Sequence, residues 1–161
     1  KHVVIVGGGF LGSELAWALA RFPNLKLTQV VSSPSGIMSQ VFPQYLSQQQ
    51  TLELRNAGVD VRTGRIVTRI DAPDQPAEKD QSPTPTTVAN ASAKVAVELD
   101  DGQKLSADHV ILAAGLTPNT RVAQLAGLEI DKNNRGIVVN GELQARSDVY
   151  AAGDVASYYD Y

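Results

Sequence analysis

"VVIVGGGFLGSELAWAL" occupies residues 3–19 of a 161-residue chain. Residues 3–6 are Val-Val-Ile-Val, a run of the kind carried by a strand buried on both faces. Glycines follow at once, and residues 11–21 then place Leu11, Leu15, Ala18 and Leu19 at helical spacing. The pattern Gly7-x-Gly9-x-x-Gly12 therefore leaves a strand and opens a helix, which is the setting a dinucleotide phosphate loop requires. Each glycine has a physical task there. Gly7 permits the tight turn, Gly9 lets a pyrophosphate approach bare backbone, and Gly12 lets the helix lie close to the strand. The helix N-terminus adds free N–H groups and a partial positive charge.

Outward from this stretch the chain keeps an α/β rhythm. "LKLTQVV" (25–31) reads as a second strand, and residues 43–58 suit a helix with Pro43 at its start and Gly58 past its end. "VDVRTG" (59–64) reads as a third strand. The pattern then changes: "RIVTRI" (65–70), "KVAVEL" (94–99) and "QKLSA" are short β runs, the last two joined by the turn signal "DDG" (100–102). They predict an antiparallel meander inserted before a further core strand, "HVILAAG" (109–115). A short helix over about 121–126, "GIVVN" and "DVYAAGD" complete the chain. The predicted fold class is α/β: a Rossmann-like parallel sheet with flanking helices and an inserted antiparallel three-stranded β-meander. The whole chain, 1–161, is expected to form one dinucleotide-binding domain. Residues 71–93 hold four of the eight prolines and no aromatic residue. They read as a disordered surface insertion, with a docking segment as the alternative.

Composition narrows the function classes. The chain is 43% hydrophobic and 19% charged, with a formal net charge of -3. No dense Lys/Arg run is present, so nucleic-acid binding through a basic face is unsupported. There is no cysteine, hence no disulfide, thiolate metal site or dithiol centre in these residues. No apolar run is long enough to span a membrane, and no targeting segment is seen. The chain begins just before a strand and stops soon after another, and so reads as a piece of a larger protein.

Individual residues carry competing readings. Glu14, two residues past the last glycine and expected in the first turn of the helix, either favours the positive end of the dipole or faces a nicotinamide ring. Phe10 either packs on the domain edge or covers the mouth of the cofactor site. Trp17 and Met38 read as core or rim residues. His2 and His109 lack partners at ligand spacing, so no metal site is expected.

"GGGFLGSELA", "PQYL" (43–46), "AAGLTPN" (113–119), "GLEID" (127–131), "ELQARSDVYAAGD" (142–154) and "YYD" (158–160) together resemble the NAD(H)-binding domain of the apoptosis-inducing-factor flavoproteins. More broadly, the layout is similar to flavoproteins of the glutathione reductase type, in which an NAD(P)H domain interrupts an FAD domain. The resemblance implies that Gly7, Gly9, Phe10, Leu11 and Gly12 line the NAD(H) pyrophosphate and nicotinamide approach. It implies that Glu14 faces the nicotinamide end, pairing with a lysine of an absent FAD domain, and that Gly115 lies on the nicotinamide side. Asp154 matches a flavin-contacting aspartate, and residues 148–161 match the return to that FAD domain.

The implied function is hydride transfer from NADH to an FAD held elsewhere in the full-length protein, with this piece catalytically incomplete. Only one glycine loop is present, so FAD is expected only in the full-length protein. The alternatives are the NAD(P)H domain of another flavin-dependent reductase, or a non-enzymatic module in which NADH controls dimerisation or docking. The family also implies a homodimer dependent on NADH, and a mitochondrial location with nuclear entry on cell-death signalling. At the ribose-reading position, where the family usually has glutamate, the chain has Ser33; at a nearby family lysine it has Gln40. Arg65, just after the third strand, either meets a 2′-phosphate or is a solvated surface charge. NADPH thus stays open as a ligand, with weakened selectivity expected.

Overall fold

The computed structural model describes residues 1–72 and 94–158. The chain divides into two compact units, Lys1–Gly115 and Leu116–Tyr161, each taken by itself below.

In the first unit the apolar run after the N-terminus forms β1 (His2–Val6), and the glycine loop leads into α1 (Phe10–Leu19). There follow β2 (Lys26–Val31), α2 (Gln44–Asn56), β3 (Asp60–Thr63), the strands β4 (Val67–Asp71), β5 (Val95–Leu99) and β6 (Lys104–Ala107), and β7 (His109–Leu112). β1, β2, β3 and β7 make a parallel sheet in the order β3-β2-β1-β7. β4, β5 and β6 make the antiparallel meander. This is the α/β architecture expected of the sequence.

Strand alternation explains how one sheet serves two cores. Val3 and Ile5 join Leu27, Val31, Ala16 and Leu54 in the cluster beneath α1 and α2. Val4, one residue out of phase, joins Val30, Val97, Leu99 and Leu105 in the cluster beneath the meander. Each of these valine, leucine and isoleucine side chains, fully buried, is worth about 1.5–3 kcal/mol. Both faces of β1 are covered, which is why residues 3–6 are apolar without a polar break. At its start β1 is held by a polar contact: the His2 N–H donates to Asp108 Oδ2 at 2.6 Å. That bond holds the Asp108 carboxyl below the ordinary range, against a smaller upward push from burial.

Some boundaries differ from expectation. α1 starts at Phe10 rather than residue 11, because Gly9 is extended (φ -81°, ψ -166°) and its carbonyl already accepts the Ser13 N–H at 3.0 Å. β7 ends at Leu112, short of the predicted 115. β4 runs through Asp71, the first residue assigned to the insertion. Ala72 follows it, and residues 73–93 of the insertion lie outside the described residues.

The second unit holds α3 (Arg121–Leu125), β8 (Ile137–Val138), β9 (Gln144–Arg146), β10 (Val149–Tyr150) and β11 (Ala156–Ser157). β9 and β10 pair antiparallel, and β11 lies parallel to β8. A polar turn knits this unit. Asp131 Oδ1 accepts the N–H groups of Asn133 and Asn134, and Ser157 Oγ donates to Asp131 Oδ2 at 3.1 Å. Asn134 Nδ2 donates to Ser157 Oγ, and Asn134 Oδ1 accepts the Gly136 N–H.

Candidate nucleotide-binding site

The loop between β1 and α1 is built so that little but glycine fits. Gly7 has φ +125°, a value side chains disfavour, and a Cβ on it would strike the Ala113 carbonyl oxygen. Its N–H donates to Val30 O at 2.9 Å. A Cβ on Gly12 would strike the Gly7 carbonyl oxygen, so the helix can lie this close only without a side chain. Gly9 is different: nothing lies within 4 Å of where its Cβ would be. It is the N-cap of α1 and supplies no side-chain cap. Open space at Gly9 thus adjoins a helix start, where the first N–H groups lack intrahelical partners, an arrangement suited to a phosphate.

Three contributors escape the motif. Gly8 has no room either, since a Cβ would press on the Val31 side chain; its carbonyl accepts the Met38 N–H at 2.6 Å. The run of three glycines was its only signal. Met38 itself is buried and has φ +57°, which folds the loop after β2 back onto the glycine loop. Gln29 lies fully buried in β2, and its Nε2 donates to the Gly7 carbonyl at 2.9 Å. Its Oε1 has no partner among the described residues. The amide orientation follows from Gly7, since the reverse would set two oxygens against each other. A lone glutamine inside "LTQVV" was the visible clue.

The loop after β2 is held from below by α2. Thr51 Oγ1 accepts the Ile37 N–H at 3.0 Å and donates to Ser47 O, while Ser47 Oγ donates to Ile37 O. Ser33 is the second residue of this loop, half-buried. Its Oγ accepts the Ser35 N–H at 3.2 Å, and its carbonyl accepts the Gly64 N–H at 3.1 Å. The next residue, Arg65, donates its N–H to Val31 O at 3.1 Å. The ends of β2 and β3 are thereby joined at the position expected to read a ribose. The Arg65 guanidinium is not a free surface charge: its Nε lies 2.9 Å from Asp101 Oδ2.

An open groove of about 340 Å³ runs along α1, lined by Phe10, Glu14, Trp17, Arg21, Met38 and Phe42 among others. Phe10 is 60% exposed, on the rim of this groove. Leu11 is exposed as well. Glu14 is exposed and falls in the second turn, because α1 begins at Phe10; the first turn contains no acid. The dipole reading of Glu14 weakens accordingly, since that effect fades beyond the first turn. Gly115 lies three residues past β7 at φ +101°, with open space around it. Gln40 is exposed. Asp154 belongs to the second unit, where it is exposed just after Gly153 (φ +80°). Among the described residues, no three His, Cys, Asp or Glu side chains gather as metal ligands, and no helix is long and apolar enough to cross a membrane.

The family model of the pyridine nucleotide-disulphide oxidoreductases matches residues 1–160. The chain belongs to that family. The pyridine nucleotide-disulphide oxidoreductases similar to it include "Apoptosis-inducing factor 1, mitochondrial" of Dictyostelium discoideum, 44% identical over the whole of this chain and 28% of that protein. "Putative apoptosis-inducing factor 1, mitochondrial" of Drosophila melanogaster is 35% identical over 99% of the chain and 20% of its own length. Among solved structures, the covalent putidaredoxin reductase–putidaredoxin complex matches with a TM-score of 0.76 and 31% identity, over 99% of this chain and 34% of that one. The chain thus spans about a quarter of the length of these curated relatives. Pyridine nucleotide and flavin use go with the family. Its disulphide chemistry has no residue in this chain, which contains no cysteine.

Proposed function

We propose that this chain is the NAD(H)-binding part of an apoptosis-inducing-factor-like flavoprotein, in which NADH delivers hydride to an FAD held by the remainder of the protein. The observation that carries the reading is the bare backbone over Gly9, at the uncapped start of α1, between two glycines that admit no side chain. A pyrophosphate fits that cradle in charge and in space. The 44% identity to an apoptosis-inducing factor supports the choice within the family.

On this reading the nicotinamide supplies the hydride, and the chain's residues bind and orient. The first N–H groups of α1 hold the pyrophosphate. Phe10 and Leu11, exposed at the helix start, shield the nicotinamide approach from water. Glu14 offers a carboxylate to a lysine of the FAD domain, and Gly115 leaves the nicotinamide side open. Asp154 contacts the flavin in the longer protein. Hydride transfer between the two cofactors requires no general acid or base from this chain. At the ribose, Ser33 replaces the charged acceptor usual in the family. Hydrogen bonds to charged groups exceed neutral ones by roughly 1 kcal/mol, so NADH affinity is several-fold weaker than a glutamate would give.

The same reading takes in a mitochondrial location and an NADH-dependent homodimer of the full-length protein. The test is stopped-flow reduction of the flavin by NADH in the longer protein, beside its oligomeric state with and without NADH. Rapid bleaching of the flavin is expected. No bleaching, with a dimer still forming on NADH, would favour the non-enzymatic module; bleaching by NADPH alone would favour another reductase.

A further inference from the structure

We propose that Asp101, in the hairpin between β5 and β6, occupies Arg65 and thereby sets the site against NADP(H). The inference rests on the nucleotide site proposed above and deepens it. Gly64 bonds through its N–H to Ser33 O, so the next residue, Arg65, is anchored beside the turn where the ribose is read. A free guanidinium there would suit a 2′-phosphate, with planar donors matched to its oxygens. In this fold the guanidinium is already engaged. Its Nε meets Asp101 Oδ2 at 2.9 Å, and its Nη1 donates to Gly64 O at 3.2 Å.

Asp101 is the fixed member of the pair. Its side chain is 22% exposed against 43% for Arg65. Its other oxygen, Oδ1, accepts the Gln103 N–H at 3.0 Å. The hairpin is itself tied to the segment after Arg65. Asp100 donates its N–H to Ile66 O, and Asp100 Oδ1 accepts the Ile66 N–H. A 2′-phosphate arriving here meets a cation whose charge Asp101 already cancels. At Ser33 the chain lacks the carboxylate that would repel that phosphate from the end of β2. Asp101 opposes NADP(H) from the meander instead, by occupying the cation that would bind the phosphate, through an element that does not belong to the parallel sheet.

The experiment compares the wild type, Asp101→Asn and Asp101→Asn/Arg65→Ala by calorimetric titration with NADH and with NADPH. Asparagine keeps the Oδ1 acceptor for Gln103 and removes only the charge. The expected result is a fall in the NADPH Kd of about tenfold for Asp101→Asn, the scale of one charge-assisted contact. The NADH Kd should stay within about twofold, and the double variant should lose the gain. Rising salt should erase the gain as well. If Asp101→Asn does not fold, Asp101→Ser makes the same comparison, since its Oγ also accepts the Gln103 N–H. An unchanged NADPH Kd in a variant that still binds NADH overturns the role of Asp101 alone. Failure of the wild type to bind NADH overturns the site itself, and this proposal with it.

Discussion

The glycines of one short loop have different tolerances. At Gly9 the space a side chain would fill belongs to no protein atom, so Gly9→Val should leave the fold intact while filling the proposed seat of the pyrophosphate. Its circular dichroism spectrum should match wild type, and calorimetry should detect no NADH binding. At Gly12 the same space is held by the Gly7 carbonyl. Gly12→Ala should therefore destabilise the protein itself, by about 1–3 kcal/mol in urea denaturation, as overpacking does. If the two variants behaved alike, the division of labour inside the motif would be wrong. The sequence pattern could name both glycines, but could not say which faces solvent. It also passed over Gly8, because the fingerprint leaves that position free. The contact that requires glycine there comes from Val31, on another strand.

The second helix shows where sequence periodicity fails. Its buried positions are Ser47, Thr51 and Leu54, two of three polar, so no apolar stripe marks its inner face. Its limits were legible only from Pro43 and Gly58. The polar residues are there because the Ile37 N–H and carbonyl need partners, and Thr51 and Ser47 supply them. Thr51→Val keeps the shape and leaves the Ile37 N–H unpaired in the interior. It should cost about 1–3 kcal/mol. NADH affinity should fall with it, since the same loop carries Ser33. A thermal melt indistinguishable from wild type would refute this. The 131–136 turn makes a pH-dependent case. The N–H groups of Asn133 and Asn134, with Ser157 Oγ, hold the Asp131 carboxyl below the ordinary aspartate range. A lowered folded value means the contribution is complete above the unfolded value of about 4. It is lost as pH falls through the lower folded value. Asp131→Ala should thus be less stable than wild type at neutral pH, and the gap should close in strong acid. Melts followed across that range would check it.

For the chain as a whole, the sequence carries one GxGxxG, so on the proposed reading it binds one dinucleotide. At a hundred times its Kd, NADH should stabilise the protein by about 2.7 kcal/mol through mass action. FAD should give no shift in Tm, and no yellow colour should survive gel filtration; retained flavin would sink that expectation. The glycine loop also has a history in time. It is encoded within the first dozen residues, yet the wall behind it is Ala113, whose N–H bonds to Val6 O and whose carbonyl oxygen crowds Gly7. The strand leading to that wall, β7, pairs with β1 across more than a hundred residues of chain. Such closures are slow, because loop entropy is spent before the contact forms. During synthesis the phosphate loop therefore emerges first and is completed among the last parts of its own unit. A nascent chain halted before residue 109 would carry the full motif and bind no nucleotide.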